Sequence, residues 1–168
     1  SSLLTPILIA ESLSLSQVAR FSAERLEHPE FDIDVGHLRV YRHGPLTAHL
    51  LGYLGEVTRE ELEGREGAYE PGDLAGKRGV ERAFESRLRG TDGERVVVVD
   101  SRGRPRSEYR SIAATPGSDL QLTLDLDLQQ EAARYFQDKV GAAVAIDPPN
   151  GDVLVVVSAP SYNPNSFA

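Results

Sequence analysis

The chain of 168 residues contains no cysteine, no methionine and no tryptophan. Without cysteine it can form neither disulfides nor thiolate metal sites. No stretch approaches the roughly 18–20 apolar residues that span a bilayer, and no signal peptide is visible. Because methionine is absent, we expect the native start to lie upstream. The net charge of −8 argues against a nucleic-acid partner, since a phosphate-binding face needs clustered cations.

Residues 141–168 predict the opening hairpin of a larger domain. Two apolar, β-prone runs at 141–146 and 153–157 flank Asn150-Gly151. Asn-Gly is the strongest short hairpin signal, because both central positions of a type I′ turn need positive φ. The second run is apolar at every position, which predicts that both its faces are buried. Little sequence follows to cover it, so we expect this chain to be a piece of a longer protein.

Upstream of this hairpin, capping residues and hydrophobic periodicity predict short helices and strands. Ser14 with Gln17 and Thr58 with Glu61 match capping boxes at two helix starts. The other expected helices span residues 45–52, 80–88 and about 125–139, and the first helix ends near residue 28. Strands are expected at residues 3–10, 31–35, 95–100, 105–112 and 119–124, with loop at 64–79.

Three segments carry motifs in a fixed order: HLLGYLG at 49–55, GDLAGKRGVERAFE at 72–85 and LTLDLDLQ at 122–129. Together with the terminal hairpin they resemble the class B penicillin-binding proteins. The spacing and the PILIAE opening look most like the elongation type, penicillin-binding protein 2, in its amino-terminal pedestal region. Two departures stand out. The family's R-x-Y-P reads RVYR at 39–42, and R-G-x-x-x-D-R-N-G is absent.

The resemblance implies an α+β fold in two parts. Residues 1–115 are expected to form a non-catalytic, dimerisation-type pedestal, mixed and mostly antiparallel, with short strands and helices. Residues 116–168 are expected to be the truncated start of a transpeptidase domain, a helix plus a β-hairpin. The parent protein would be a serine D,D-transpeptidase that cross-links peptidoglycan stem peptides and is inhibited by β-lactams.

This chain alone is expected to be inactive, because no serine in it has a lysine three residues on, as the nucleophile motif S-x-x-K requires. Ser161-Tyr162-Asn163 matches S-x-N, and Lys77-Arg78-Gly79 loosely matches K-T-G. Both lie on the wrong side of where S-x-x-K would fall, and such triplets are common by chance.

The residues that carry the family motif are expected to act structurally; they are Arg39, Tyr41, Gly76, Gly79 and Glu81. We predict an ion pair between Arg39 and Glu81 that holds the segment around Tyr41 on the Val80 helix. A phosphate cradle at the two glycines is the alternative, since glycines ahead of a helix suit anions. That alternative lacks the preceding strand that a dinucleotide fingerprint requires.

No metal and no cofactor is expected. The spacings of the four histidines fit no zinc signature; they are His28, His37, His43 and His49. Asp125 and Asp127 could form a metal pair, but a helix N-cap role explains them more simply.

The resemblance also implies protein partners, an MreC-type rod-complex scaffold and a RodA-type SEDS glycan polymerase. The parent would be anchored by one N-terminal helix, with this region on the extracytoplasmic (periplasmic) face of the cytoplasmic membrane. The candidate partner-binding residues are Leu50, Leu51, Tyr53 and Leu54, which form an exposed cluster if they do not all fit one core. Packing inside the core is the other possibility.

Two other functional interpretations stay open. The chain could be the pedestal of a division-type or sporulation-type paralogue, which has the same architecture and septal partners. It could also be an unrelated α+β protein-binding module whose hairpin pairs with a partner's edge strand.

Overall fold

The computed structural model describes residues 7, 9–10, 12–28, 30–33, 36, 38–64, 69–100 and 105–167. The chain divides into two compact units. Unit 1 comprises Ser1–His37 with Val97–Glu108, and unit 2 comprises Leu38–Val96 with Tyr109–Ala168. The predicted domain boundary between residues 115 and 116 stays a prediction.

Short helices and three two-stranded sheets make up the described residues, and the predicted mixed α+β fold is confirmed. The helices are α1 Leu15–Glu24, α2 Ala48–Leu51, α3 Arg59–Gly64, α4 Gly79–Ala83, α5 Glu85–Leu88 and α6 Leu126–Tyr135, with 3-10 turns at Gly44–Leu46 and Pro164–Ser166. The strands pair as β1 Leu54–Glu56 with β2 Leu74–Gly76, β3 Glu94–Val99 with β4 Pro105–Ile112, and β5 Gly141–Ile146 with β6 Val153–Ala159. None of the described helices is both long and apolar enough to cross a bilayer.

Side-chain caps start the helices where the sequence predicts them. Ser14 accepts a hydrogen bond from the Gln17 N–H, and the Gln17 side chain accepts one from the Ser14 N–H, at 2.9 Å. The Thr58 N–H donates to Glu61 Oε2 at 2.8 Å, which confirms the second capping box. Asp125 caps α6 by accepting from two N–H groups of the first turn. These caps form because each joins residues only two or three positions apart.

Several predicted elements are wrong. Phe31–Ile33 is not a strand, and the rest of the run expected at 31–35 lies outside the described residues. Of the strand expected at 3–10, only residues 7, 9 and 10 are described, and they have no regular structure. Residues 119–124 run beside β6 but do not form a ladder. The Val80–Leu88 helix is broken at Phe84, whose φ is −116°. The loop expected at 64–79 contains β2, and β1 was not expected.

The terminal hairpin forms as predicted, but its turn is different. The Gly151 N–H donates to Asp147 O and the Asp147 N–H donates to Asp152 O, both at 2.8 Å, so four residues connect the strands. Gly151 has φ +79°, but Asn150 does not have the positive φ that a type I′ turn needs. In β6, Val155 and Val157 are buried and the other side chains are half-buried. The burial expected on both faces is therefore complete on one face only.

Glycines allow α2 to lie directly against the start of α4. Gly52 ends α2 with φ +80°, and a Cβ on it would lie 2.0 Å from Arg78 O. A Cβ on Gly79, which has φ +59°, would lie 2.3 Å from Leu50 O. Any side chain at these positions would force the two backbones apart, so the contact between α2 and α4 requires glycine.

Replacing Gly52 by alanine is expected to lower the free energy of unfolding by about 3 kcal/mol or more, because it adds a backbone clash to positive-φ strain. Gly72→Ala is the matched control, because Gly72 has φ +97° but open space around its Cβ position. We expect the control to cost about 1 kcal/mol. Urea unfolding of both variants measures the difference, and equal costs would contradict the close approach of α2 and α4.

Candidate functional site

The predicted ion pair between Arg39 and Glu81 is present. Arg39 Nε lies 3.1 Å from Glu81 Oε1, and Arg39 Nη2 lies 3.3 Å from Glu81 Oε2. The Glu81 side chain is only 8 % exposed, whereas that of Arg39 is 38 % exposed. The two-pronged contact fixes the orientation of both groups. Arg39 therefore holds the extended segment before Tyr41 against the first turn of α4.

The hydroxyl of Tyr41 completes this network. It accepts a hydrogen bond from the Leu54 N–H at 3.0 Å and hydrogen-bonds with the Glu81 carboxylate. Burial, and then the negative charge of Glu81, raise the pKa of Tyr41 far above its usual range, so its hydroxyl keeps its proton and can donate to Glu81. Burial also raises the pKa of Glu81, and the neighbouring Arg39 charge opposes that shift.

The motif glycines bring β2 onto the same helix. A Cβ on Gly76 would lie 2.3 Å from the Glu81 carbonyl oxygen, so the backbones touch there. The Gly76 N–H is already used, because it donates to Glu85 Oε2 at 2.7 Å. The two glycines are thus occupied by backbone contacts, which supports the structural interpretation over the phosphate cradle. Arg39, Tyr41, Gly76, Gly79 and Glu81 lie together in unit 2.

The main chain of Tyr41 makes a second contact that the sequence analysis missed. The Tyr41 N–H donates to Asn165 Oδ1 at 2.8 Å, and Asn165 Nδ2 donates to Tyr41 O at 3.1 Å. One carboxamide therefore pairs with both polar groups of one residue. The Asn163 side chain caps the Pro164–Ser166 turn and so positions Asn165. The dipeptide Asn163-Pro164, a turn signal, was the only hint in the sequence.

Residues 159–167, the C-terminal segment, lie along the 3-10 turn and α2. Ser161 Oγ donates to Pro45 O at 2.6 Å, and the Tyr162 hydroxyl donates to Ala48 O at 2.9 Å. His49 Nε2 lies 3.1 Å from Pro160 O. The Ser161-Tyr162-Asn163 triplet is thus engaged in packing. Lys77 of the other triplet forms an ion pair with Glu61.

Gln129 joins three elements from a fully buried position. Its Oε1 accepts the Val156 N–H at 2.8 Å, while Nε2 donates to Val156 O at 2.6 Å and to Leu46 O at 2.8 Å. The side chain of α6 thereby links β6 to the 3-10 turn. Gln129 lies among apolar residues at helical spacing, with Leu126 and Ala133, and a polar residue in such a stripe was the available signal.

The four candidate partner-binding residues are all half-buried; they are Leu50, Leu51, Tyr53 and Leu54. Tyr53 stacks on Phe167 with ring centroids 4.3 Å apart and meets the edge of Tyr162. Part of this cluster thus packs against the C-terminal segment. Its role in partner binding stays a prediction.

The described residues hold no cluster of three or more histidine, aspartate or glutamate side chains that could bind a metal. Asp125 acts as the N-cap of α6, as the simpler interpretation has it. His37 lies outside the described residues. Beside the ion pair, an open groove of about 370 Å³ is lined by Arg39, Glu81, Leu51 and Asp119, among others. The contacts of this site hold chain segments in place rather than perform chemistry.

Removing either side of the ion pair is expected to cost more stability than removing a surface charge. Arg39→Gln and Glu81→Gln should each lower the free energy of unfolding by about 1–3 kcal/mol, because one leaves a buried carboxylate and the other an unpaired guanidinium. The double variant should be non-additive by about 0.5 kcal/mol or more. The exposed pair of Arg59 and Glu63 serves as the control, with a coupling expected at or below about 0.5 kcal/mol. Strict additivity at Arg39 and Glu81 would rule out their coupling.

Replacing Gln129 by glutamate should destabilise the chain by about 3 kcal/mol or more at neutral pH, because a buried carboxylate then faces two carbonyl oxygens. Burial raises the folded-state pKa of such a carboxyl above its unfolded value of about 4.3. The lost stability should therefore return partly as pH falls through the raised folded-state pKa towards the unfolded value. Unfolding curves between pH 7 and pH 4, with wild type as reference, measure this, and a pH-independent difference would contradict the buried contacts.

Comparison with known proteins gives the family. The model of the Penicillin-binding Protein dimerisation domain matches residues 1–122. Peptidoglycan D,D-transpeptidase MrdA of Acinetobacter baumannii is 37 % identical over 162 residues, 96 % of this chain and 24 % of that protein. Penicillin-binding protein 3 of Bacillus subtilis is 37 % identical over 161 residues, 95 % of this chain and 22 % of that protein. The chain thus spans about a quarter of the length of these curated relatives.

A solved structure supports the same assignment. The complex between penicillin-binding protein PBP2 and MreC from Helicobacter pylori contains a chain that is 28 % identical and has a TM-score of 0.74. The match covers 92 % of this chain and 29 % of that one. This chain therefore belongs to the penicillin-binding protein dimerisation-domain family and is homologous to the MrdA, or PBP2, type of peptidoglycan D,D-transpeptidase.

Proposed function

We propose that this chain is a non-catalytic pedestal of the cell-elongation machinery that docks a scaffold protein and couples it to a transpeptidase domain. The observation that carries the proposal is the likeness, over 92 % of the chain, to PBP2 in a structure of its complex with MreC. An MreC-type scaffold is the partner we assign first. A RodA-type SEDS glycan polymerase is the second partner that the elongation machinery would supply.

The chemistry belongs to the longer protein. Its transpeptidase domain would contribute the S-x-x-K serine, form an acyl-enzyme with peptidoglycan stem peptides and react with β-lactams. We assign the transpeptidase start to residues 116–168. An N-terminal membrane helix would anchor the protein, with this region on the periplasmic face of the cytoplasmic membrane.

A pedestal of a division-type or sporulation-type relative is the second candidate. The observation that favours it is the identity of 37 % to penicillin-binding protein 3 of B. subtilis, equal to the identity to MrdA of A. baumannii. The scaffold that binds distinguishes the two types, since an elongation pedestal binds an MreC-type protein.

Two apolar surfaces could receive the scaffold. One is the half-buried cluster of Leu50, Leu51, Tyr53 and Leu54 in unit 2. The other lies in unit 1, where Leu15 is 89 % exposed and Leu26 is 97 % exposed around α1. Half-buried leucines beside a packed aromatic cluster suit a binding surface whose rim stays accessible, so we keep the unit 2 cluster as the first choice.

Calorimetric titration of the chain with the soluble extracytoplasmic part of an MreC-type scaffold tests the proposal. We expect saturable binding, weakened about tenfold by Leu50→Ala or Leu54→Ala, since losing one central apolar contact costs about 1.4 kcal/mol. The matched control, Leu26→Ala, should leave the affinity unchanged.

The outcomes separate the proposal from the choice of surface. Weakening by Leu26→Ala alone would move the docking surface to unit 1. No binding by wild type, with a cooperative thermal transition proving that the chain is folded, would contradict docking of an MreC-type scaffold.

A further inference from the structure

Tyr41 is held by two separate groups of contacts. Its hydroxyl bonds to the Leu54 N–H and to Glu81, which Arg39 pairs. Its N–H and C=O bond to the carboxamide of Asn165, 124 positions away in the chain. The residue is only 5 % exposed, so water competes little for either group of bonds. The ion pair and the C-terminal segment do not need to touch to influence each other, because they share Tyr41.

We propose that Tyr41 and Asn165 are positioning residues that couple the Arg39–Glu81 pair to the C-terminal segment. Rearranging the ion pair shifts the Tyr41 ring, and the ring moves the main chain that Asn165 holds. The proposal rests on the proposed function for its consequence only: the C-terminal segment would then lead from pedestal to transpeptidase domain, and this contact would carry the effect of a docked scaffold to it.

The chemistry of the carboxamide makes the link specific. The Asn165 side chain offers one acceptor and one donor, and the backbone of Tyr41 offers one donor and one acceptor. Aspartate has the same shape but cannot donate when it is ionised, so it would lose the bond to Tyr41 O. The side chain of Asn163, which also accepts from Asn165 Nδ2 at 3.1 Å, keeps the carboxamide in this orientation.

Native-state hydrogen exchange by NMR tests the coupling on the whole chain without any partner. The reporters are the Tyr41 N–H and the side-chain amide protons of Asn165, and the paired amides of β5 and β6 serve as the internal reference. Glu81→Gln should raise exchange of the reporters about threefold or more relative to the reference, because residues that share a partner are coupled to this extent. The matched control, Glu63→Gln, removes an exposed partner of Arg59 and should leave the reporters unchanged.

Tyr41→Phe distinguishes coupling from general loosening. This variant lacks the hydroxyl but keeps the ring and main chain, so Glu81→Gln should have no further effect on the reporters in its background. The inference is overturned if Glu81→Gln leaves the reporters unchanged, or raises reporter and reference exchange equally. It is also overturned if the effect persists in the Tyr41→Phe background. None of these outcomes depends on scaffold binding, so the proposed docking function stands or fails separately in the titration.

Discussion

The buried carboxamide of Gln129 is the contact on which the arrangement of unit 2 depends. Its three hydrogen bonds satisfy the N–H and C=O of Val156 and the C=O of Leu46, none of which would find water in that interior. A buried polar group left unpaired costs about 1–3 kcal/mol, so three such groups fix the positions of α6, β6 and the 3-10 turn relative to one another. With β6 placed, the C-terminal segment that follows it lies along α2. Only then can Asn165 reach Tyr41.

Close backbone contact is the second constraint, and it acts on the motif side. Gly52, Gly76 and Gly79 let α2, β2 and α4 approach to distances at which no Cβ fits. That approach presents Glu81 at the start of α4 to both Arg39 and the Tyr41 hydroxyl. The glycine spacing of the motif is therefore explained by packing, and the glutamate is the group that the packing presents. A carboxylate buried to this degree is tolerable only because a guanidinium pairs with it.

Local features of this fold could be read from the sequence, and non-local ones could not. The caps of α1, α3 and α6 and the terminal hairpin depend on neighbouring residues, and each was predicted. Strands β1 and β2 have three residues each and are separated by 17 others, so no periodicity reveals them. The ion pair between Arg39 and Glu81 was predicted from a family motif. Asn165 and Gln129 act over 124 and 83 positions, and no local pattern encodes such partners.

The chemistry of the two halves of unit 2 differs in a way that suits a coupling element. The motif half is held by a charged pair, which is strong and orientation-dependent but costly to bury. The C-terminal half is held by neutral carboxamides and hydroxyls, each contributing about 1 kcal/mol net. Neutral bonds of this strength specify one geometry and yet can be exchanged individually for water at the exposed Asn165. The rigid part of unit 2 is thus the glycine-packed motif around Glu81, and the segment best able to change position is the one that Tyr41 holds through its main chain.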